Sequence, residues 1–238
     1  MKSFLVQIVS LIHDRTGRIL GLNSAGHTKK LIKQMLPNSD SPVVFDVGAN
    51  RGEFTDLILQ VFPKAKVYIF EPQPEMAREL IHRYRDFDVM VNSIALSNFV
   101  GESKFIRQRQ GDPKGHLITT GEPEGILVQV TTLDEFLNQE KIQHVDLLKI
   151  DTEGFDFNVL MGAVGALRGG RIFGICFEVM YRLLMQGFKP SEPQEFLMKN
   201  GFDRFYRTSP YLGLIPLKGL IPSYEMKTQN IYTHRVLS

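Results

Sequence analysis

The sequence has few of the features that mark disulfide-bonded, zinc-binding or membrane-spanning proteins. Its 238 residues include a single cysteine, Cys176, within the apolar run of residues 172–179. One cysteine excludes a disulfide framework and a zinc site built from cysteines, and its expected role is packing. No run approaches the roughly 18 consecutive apolar residues of a membrane-spanning helix. We therefore expect a cytoplasmic protein without an integral membrane span.

Excess charge of one sign is also missing. The 28 lysines and arginines nearly balance the 26 acidic residues, which gives a net charge of +2. Such a balance provides no strong electrostatic case for nucleic acid as a partner. The length suits one α/β domain with a full core and is too short for two domains and a linker.

Residues 1–41 form a compositional zone of their own, which we interpret as an N-terminal helical extension of a domain at residues 42–238. Apolar side chains recur at helical spacing between Phe4 and Ile12 and predict an amphipathic helix. A signal peptide is the alternative, disfavoured because Gln7 and Ser10 interrupt the apolar stretch. Residues 28–36 predict a second helix, which the proline and polar residues that follow would end.

The chain is organised around residues 43–54, where a buried strand breaks into glycines and then takes up helical periodicity. Gly48 and Gly52 allow a sharp turn and the close approach of a ligand. The spacing differs from the dinucleotide fingerprint, which would place a glycine at Asn50 and a small residue at Glu53. A carboxylate in the first helical turn and Asp46 at the strand end suit a cationic ligand, and we therefore predict S-adenosyl-L-methionine.

A second short strand, residues 66–70, ends in Glu71, about twenty residues after the glycine turn. In doubly wound sheets an acid at this place accepts hydrogen bonds from ribose hydroxyls. Glu71 is therefore the predicted ribose ligand, and the alternative is an exposed glutamate at a strand end.

From residue 43 the pattern alternates strand and helix and predicts a mostly parallel sheet. We expect an inserted strand pair at residues 103–106 and 126–131 around a polar, glycine-rich loop, residues 108–125. A single helix is expected at residues 155–166. Residues 203–207 and 230–236 predict short strands, and residues 208–223 show no period and are expected to be a loop.

Four side chains are candidates for catalysis. Asp151 ends the fourth predicted strand, at the crevice where open α/β sheets bind ligands, and Glu153 is a candidate general base. Glu178 closes an apolar run, and His116 in the inserted loop has a suitable ordinary pKa for taking a proton. The alternatives are a helix-dipole role for Glu153, a structural carboxylate at Glu178 and a solvated His116. We expect no required metal, since no histidine is linked to the acidic residues by spacing.

Five motifs occur in one order along residues 43–179. They are Phe45-Asp46-Val47-Gly48-Ala49-Asn50-Arg51-Gly52, Phe70-Glu71-Pro72, Asn92-Ser93-Ile94-Ala95-Leu96-Ser97, Val130-Thr131-Thr132-Leu133-Asp134 and Asp146-Leu147-Leu148-Lys149-Ile150-Asp151-Thr152-Glu153-Gly154. In this order they resemble the FkbM family of S-adenosylmethionine-dependent methyltransferases.

The resemblance implies a class I methyltransferase fold, a Rossmann-like three-layer αβα sandwich whose seven-stranded, mostly parallel sheet has an antiparallel last strand. It places Asn50 in the cofactor loop and Ala95 and Leu96 beside the adenine, with Ser93 close by. Asp151, from its place at the strand end, is the expected ligand of the cofactor or the acceptor. It also implies O-methylation of a hydroxyl, often on a sugar or polyketide-like small molecule. In the inserted loop the chain carries Lys114, Gly115, His116 and Leu117 where relatives often have serines, so substrate contacts there need not be shared.

The predicted function is accordingly S-adenosylmethionine-dependent methylation of a hydroxyl on a saccharide or related small metabolite. Two alternatives stay open at this point: a catalytically inactive binding or scaffold module with the same fold, and a nicotinamide-dependent oxidoreductase.

Overall fold

A computed structural model describes residues 24–36, 39–107, 115–117, 125–179, 181–209, 213–221 and 229–234. The amphipathic helix predicted near the N-terminus lies outside these residues. Strands and helices alternate from residue 43 onward. The strands are β1 (Val43–Val47), β2 (Lys66–Phe70), β3 (Val89–Asn92), β4 (Ala95–Leu96), β5 (Gly101–Arg107), β6 (Gly115–Leu117), β7 (Ile126–Thr131), β8 (Val145–Ile150), β9 (Ile172–Val179), β10 (Arg204–Ser209), β11 (Gly213–Pro216) and β12 (Gln229–His234). The helices are α1 (Ser24–Met35), α2 (Glu53–Val61), α3 (Pro74–Arg83), α4 (Leu133–Gln139), α5 (Asp156–Met161), α6 (Val164–Arg168), α7 (Tyr181–Met185) and α8 (Glu192–Lys199).

The main sheet has the strand order β11-β10-β12-β9-β8-β1-β2-β3. Strands β3, β2, β1, β8 and β9 are mutually parallel, and β12 enters antiparallel between β9 and β10. This arrangement confirms the expected class I fold and its antiparallel last strand. The parallel ladder brings the carboxyl ends of β1, β2 and β8 to one edge.

The sheet has one strand more than expected, because the prediction of a loop over residues 208–223 is wrong in its middle. Residues Gly213–Pro216 form β11, which pairs antiparallel with β10. The strand lies at the edge of the sheet, where proline is tolerated because the missing N–H costs no ladder hydrogen bond. A short edge strand that ends in proline shows no alternation for the sequence to reveal.

One hydrophobic core lies on each face of the main sheet, between the strands and the helices, and this arrangement confirms the three layers. On one face, α1, α2 and α3 pack over Val44 and Leu147, and on the other α4 to α8 pack over Phe45 and Leu148. The alternation of neighbouring residues between the two cores follows from the period of two in a strand. The helix predicted at residues 28–36 is confirmed as α1, whose Met35 carbonyl accepts a hydrogen bond from the Tyr232 hydroxyl at 2.9 Å.

The single helix expected at residues 155–166 is wrong, since the structure has α5 and α6 on either side of Gly162 and Ala163. A Cβ atom on Gly162 would lie 2.0 Å from the Ser97 carbonyl oxygen, so the chain passes very close there. The Asp134 carboxylate accepts hydrogen bonds from the backbone N–H groups of Gly165 and Ala166 at 2.6 and 2.7 Å. That carboxylate satisfies the free amides of a new helix start, which explains the break.

A second, four-stranded sheet in the order β4-β7-β5-β6 is inserted after β3. The predicted strand pair is confirmed as β5 and β7, which are antiparallel. The expected loop between them contains β6, whereas residues 108–114 and 118–124 lie outside the described part of the chain. Buried residues of this sheet pack on Phe155, so the insertion sits beside the carboxyl end of β8.

Candidate active site

A cleft opens at the carboxyl ends of β1, β2 and β8, where parallel α/β sheets bind their ligands. The sequence-predicted site residues that line it are Gly48, Asn50, Glu71, Ala95, His116, Asp151 and Glu153. The apolar part of its wall comes from Phe70, Ile94, Leu96, Phe105 and Leu117. Residues that lie far apart in the chain are thus brought to one place, and they come from both sheets.

The other predicted site residues, Asp46, Gly52, Ser93 and Glu178, do not line this cleft. Asp46 is fully buried below it, where it accepts hydrogen bonds from Thr55 Oγ1 at 2.8 Å and Lys149 Nζ at 3.0 Å. Ser93 is exposed after β3. Glu178 is near the end of β9, and its backbone N–H is bonded to the Asp156 carboxylate at 2.8 Å. The hydrogen bonds of Asp46, Gly52 and Glu178 suit support of the cleft better than direct contact with a ligand.

The two glycines of the loop after β1 serve different purposes. Gly48 has φ +74°, and a Cβ atom there would lie 2.0 Å from the Asp151 carbonyl oxygen, so the turn passes directly against the end of β8. Gly52 has φ +78° and precedes α2, and its added Cβ would lie 2.3 Å from the Tyr84 hydroxyl. That hydroxyl donates to the Gly52 carbonyl at 2.7 Å. Gly48 therefore shapes the cleft, while Gly52 allows the loop to be fastened from behind.

Glu71 is placed by the backbone of both neighbouring loops. Its Oε2 accepts the Asn50 N–H at 2.9 Å, and its Oε1 accepts the Gln73 N–H at 3.0 Å. A carboxylate has about four acceptor positions, and the Gln73 side chain occupies a third one, so one position stays open to a further donor. The side chain is 3% exposed, and this burial raises the pKa of Glu71 to about 7 against the effect of its hydrogen bonds. The open position faces the cleft that Glu71 lines.

Asn50 provides a second sign that the cleft accommodates a polar ligand. The residue adopts φ +53°, which is uncommon for a residue other than glycine. Within the described ranges its buried Oδ1 has no hydrogen-bond partner. Buried acceptors of this kind are rarely left unsatisfied in a finished complex. The position fits a ligand that brings a donor, such as the ammonium group of S-adenosylmethionine.

The turn after β8 presents two carboxylates to the cleft. Asp151 is half-exposed, and Glu153 adopts φ +55°. Asp156 holds this turn, because its Oδ1 accepts the Thr152 N–H at 2.8 Å and the Thr152 hydroxyl at 2.6 Å. Burial raises the pKa of Asp156 to about 6. A strained residue between two fixed neighbours is typical of functional sites, where the surrounding structure maintains the strain.

The inserted sheet carries His116 into the cleft. The ring is buried, stacks on Phe155 with centroids 6.2 Å apart, and its Nε2 lies 2.7 Å from Arg182 Nη1. Because a guanidinium only donates, Nε2 accepts this hydrogen bond and carries no proton in this arrangement. His116 is thus tied to α7 and is not the solvated loop histidine of the alternative interpretation.

Sequence reasoning missed Gln73, Thr152 and the two apolar residues Phe105 and Leu117 that the inserted sheet adds to the wall. Gln73 is buried and follows Glu71 by two positions, so the prediction of Glu71 as a ligand could have pointed to Gln73 as well. Phe105 and Leu117 gave no such signal, because their contribution depends on how β5 and β6 pack over the main sheet. In the described part of the chain, no group of three or more metal-ligating side chains comes together. Every helix there also lacks the length and apolar character that crossing a membrane requires.

Comparison with known proteins agrees with this geometry. The model of the FkbM methyltransferase domain matches residues 46–203, more than half of the chain. Over 167 residues the chain is 28% identical to the 2-O-methyltransferase NoeI of Sinorhizobium fredii. The aligned region covers 60% of this chain and 66% of that protein. The chain thus spans just under two thirds of this relative's length.

A solved structure supports the fold. The crystal structure of an FkbM methyltransferase from Methylobacillus flagellatus KT superposes with a TM-score of 0.53 at 16% identity, over 83% of this chain and 44% of that chain. The match to the family model favours methyl transfer over the nicotinamide alternative. The cleft at the carboxyl ends of the parallel strands and the match of the family model over residues 46–203 lead to one conclusion. The chain belongs to the FkbM family of S-adenosylmethionine-dependent methyltransferases.

Proposed function

We propose that the chain methylates a hydroxyl of a saccharide or related small metabolite. The observation that carries the proposal is the presence of two carboxylates, Asp151 and Glu153, in the same cleft as Gly48 and Glu71. A hydroxyl acceptor needs a group that removes its proton, and a carboxylate beside the donor site fulfils that need. The similarity to a protein named as a 2-O-methyltransferase adds support for oxygen as the acceptor atom.

The residues divide the work between binding and proton removal. Glu71 binds the ribose hydroxyls, Asn50 Oδ1 accepts from the ammonium group, and the wall that includes Ala95 and Leu96 holds the adenine. Asp151 orients the cofactor or the acceptor, and Glu153 accepts the acceptor's proton. Bound S-adenosylmethionine supplies a methyl carbon activated by a positively charged sulfur, so alignment and proton removal are what the protein must provide.

The remaining catalytic candidates fit this scheme less directly. His116 Nε2 already accepts from Arg182, and Glu178 does not line the cleft. We propose that His116 shapes the acceptor side and that Glu178 helps to hold the end of β9.

A direct test incubates the purified chain with methyl-labelled S-adenosylmethionine and a panel of mono- and oligosaccharides that differ in their free hydroxyls. We expect label transfer to at least one saccharide and localisation of the methyl group on oxygen by mass spectrometry. Cofactor binding without transfer to any member of a panel that also includes polyketide-like alcohols would favour the inactive binding module. Transfer to nitrogen or carbon alone would contradict the proposal.

The role of Glu153 is tested with Glu153→Gln, which keeps the shape of the side chain and removes its basicity. The expected loss in kcat is about 100-fold or more, the usual contribution of a general base. The dissociation constant for S-adenosylmethionine should stay within about threefold, since the variant leaves cofactor binding intact. Glu140→Gln, at an exposed position after α4, serves as the matched control. An unchanged kcat for Glu153→Gln would assign the base elsewhere, with Asp151→Asn next in line.

A further inference from the structure

A lysine ammonium lies buried beneath the glycine turn. Lys149 on β8 is directly opposite Asp46 in the register of β1 and β8, and its side chain is 12% exposed. Its Nζ atom donates to Asp46 Oδ1 and to the Gly48 carbonyl oxygen, both at 3.0 Å, and lies 3.9 Å from Asp151 Oδ2. The Phe54 ring covers it at 5.8 Å.

The ammonium keeps its charge in this environment. Burial by itself lowers the pKa of Lys149, but the carboxylates of Asp46 and Asp151 outweigh this effect and leave the pKa above its ordinary value. A buried cation of this kind is stable only when carboxylates and hydrogen bonds satisfy it. Lys149 therefore acts as a charged donor at neutral pH.

The three oxygens around Nζ belong to three separate segments. Asp46 is part of β1, Gly48 is in the turn after it, and Asp151 follows β8. Gly48 and Asp151 both line the cleft, whereas Asp46 lies beneath it. The Gly48 backbone also passes directly against the Asp151 carbonyl, so the hydrogen bonds of Lys149 are a second link between the two segments. One side chain thus joins the two walls between which a methyl donor would lie.

We propose that Lys149 is a positioning residue of the methyl-donor site, which holds the Gly48 turn and the Asp151 carboxylate at a fixed separation from below. This inference rests on one part of the proposed function, which is that the methyl donor binds in this cleft. Lys149 does not touch the cofactor in this account and acts through Gly48 and Asp151. The competing explanation is that Lys149 only neutralises the buried charge of Asp46.

A double variant separates the two explanations. Lys149→Met alone leaves Asp46 buried without its cation, which is strongly destabilising whatever the function. Asp46→Asn together with Lys149→Met removes both charges and keeps an acceptor for the Thr55 hydroxyl, while Gly48 and Asp151 still lose their shared donor. If Lys149 only balances charge, this pair of changes restores cofactor binding. If Lys149 positions the turn, it does not.

The pH dependence of binding separates a loss of charge at Lys149 from a loss of its contacts. The titratable groups that face the ammonium from the surrounding elements are Asp46, Asp151, Asp156, Glu71 and Cys176. Among these, Glu71 is held at a pKa of about 7 chiefly by burial, and the charge of Lys149 acts to lower that value. Removal of the ammonium alone would move the midpoint of the pH dependence of cofactor affinity to higher pH, and removal of the Asp46 carboxylate acts in the opposite direction. A weaker affinity above the midpoint, where Glu71 is ionised in either protein, therefore reports lost contacts and not lost charge.

The experiment titrates S-adenosylmethionine calorimetrically into wild type, Asp46→Asn/Lys149→Met, Lys149→Arg and the exposed control Lys64→Met, between pH 6 and 8.5, with folding checked by circular dichroism. We expect the folded double variant to bind at least tenfold more weakly even at pH 8.5, and Lys64→Met to match wild type. Wild-type affinity in the folded double variant would overturn the inference. If the double variant does not fold, Lys149→Arg decides: its planar head cannot reproduce the contacts of an ammonium. A loss of threefold or more supports positioning, and wild-type affinity rejects it. No binding by the wild type would instead reject the donor site itself.

Discussion

The floor and the roof of the cleft are built in different ways. The floor, at the ends of β1, β2 and β8, is held by charged and backbone hydrogen bonds among Asp46, Lys149, Glu71 and the glycine turn. The roof, formed by β5 to β7, packs mainly through apolar residues against Phe155, and a hydrogen bond from Arg182 to His116 adds a polar contact. A hydrogen-bonded floor keeps one geometry, which suits a cofactor common to a whole family. An apolar roof tolerates substitution as long as its volume is kept, which suits the side of the cleft where we propose that the acceptor binds.

The largest effect should follow from a change in the floor at Gly48. In Gly48→Ala the new Cβ would collide with the Asp151 carbonyl, and φ +74° would be strained as well. We expect a loss of cofactor affinity of about 100-fold or more, since strain and displacement together cost about 3 kcal/mol. Calorimetric titration and thermal unfolding measure the two consequences.

Gly170→Ala provides the control for strain alone. Gly170 has φ +69°, but a Cβ atom there would meet nothing within 4 Å. This variant should lose some stability and keep the cofactor affinity of the wild type. Equal losses of affinity in both variants would show that close approach at Gly48 is not what matters.

The floor also predicts a pH dependence with a defined sign. Burial raises the pKa of Glu71 to about 7, so below this pH the carboxyl of the free protein is protonated. Ribose hydroxyls donate to the ionised form, and binding below pH 7 must therefore release a proton. Affinity should rise with pH up to about 7, by up to about tenfold per pH unit, and level off above it.

Titrations between pH 5.5 and 8.5 test this expectation, with Glu71→Gln as the comparison. The glutamine does not titrate, so its weaker binding should be nearly independent of pH across this range. A wild-type affinity that is flat, or that falls as pH rises, would contradict the assignment of Glu71 as the ribose ligand.

Sequence alone predicts the floor better than the roof, for a physical reason. Gly48 and Glu71 stand in local strand–turn–helix patterns whose spacing is fixed by the fold, so their positions follow from the chain order. The pairing of Asp46 with Lys149 depends on the register of two strands about a hundred residues apart, and Asp46 was accordingly predicted as a ligand and not as a buried partner. The entry of Phe105 and Leu117 into the cleft, the edge strand β11 and the break at Gly162 likewise depend on tertiary contacts.

The smallest effect on the donor should follow from a change in the roof. His116→Asn removes the stacking on Phe155 and the acceptor for Arg182 without altering the hydrogen bonds of the floor. We expect an altered KM for the acceptor. The cofactor dissociation constant should stay within about threefold of the wild type, because this substitution leaves the contacts of the donor unchanged. Steady-state kinetics with a competent acceptor and calorimetry provide the two numbers. A tenfold loss of donor affinity would mean that floor and roof do not act separately.

The most direct test of the account is titration of S-adenosylmethionine into the wild type, Glu71→Ala and the exposed control Glu79→Ala. The account predicts micromolar binding by the wild type and the control. In Glu71→Ala binding should weaken by about tenfold or more, on the order of 1.4 kcal/mol. Equal affinity in all three proteins, or no binding by the wild type at millimolar cofactor, would contradict the assignment of this cleft as the methyl-donor site.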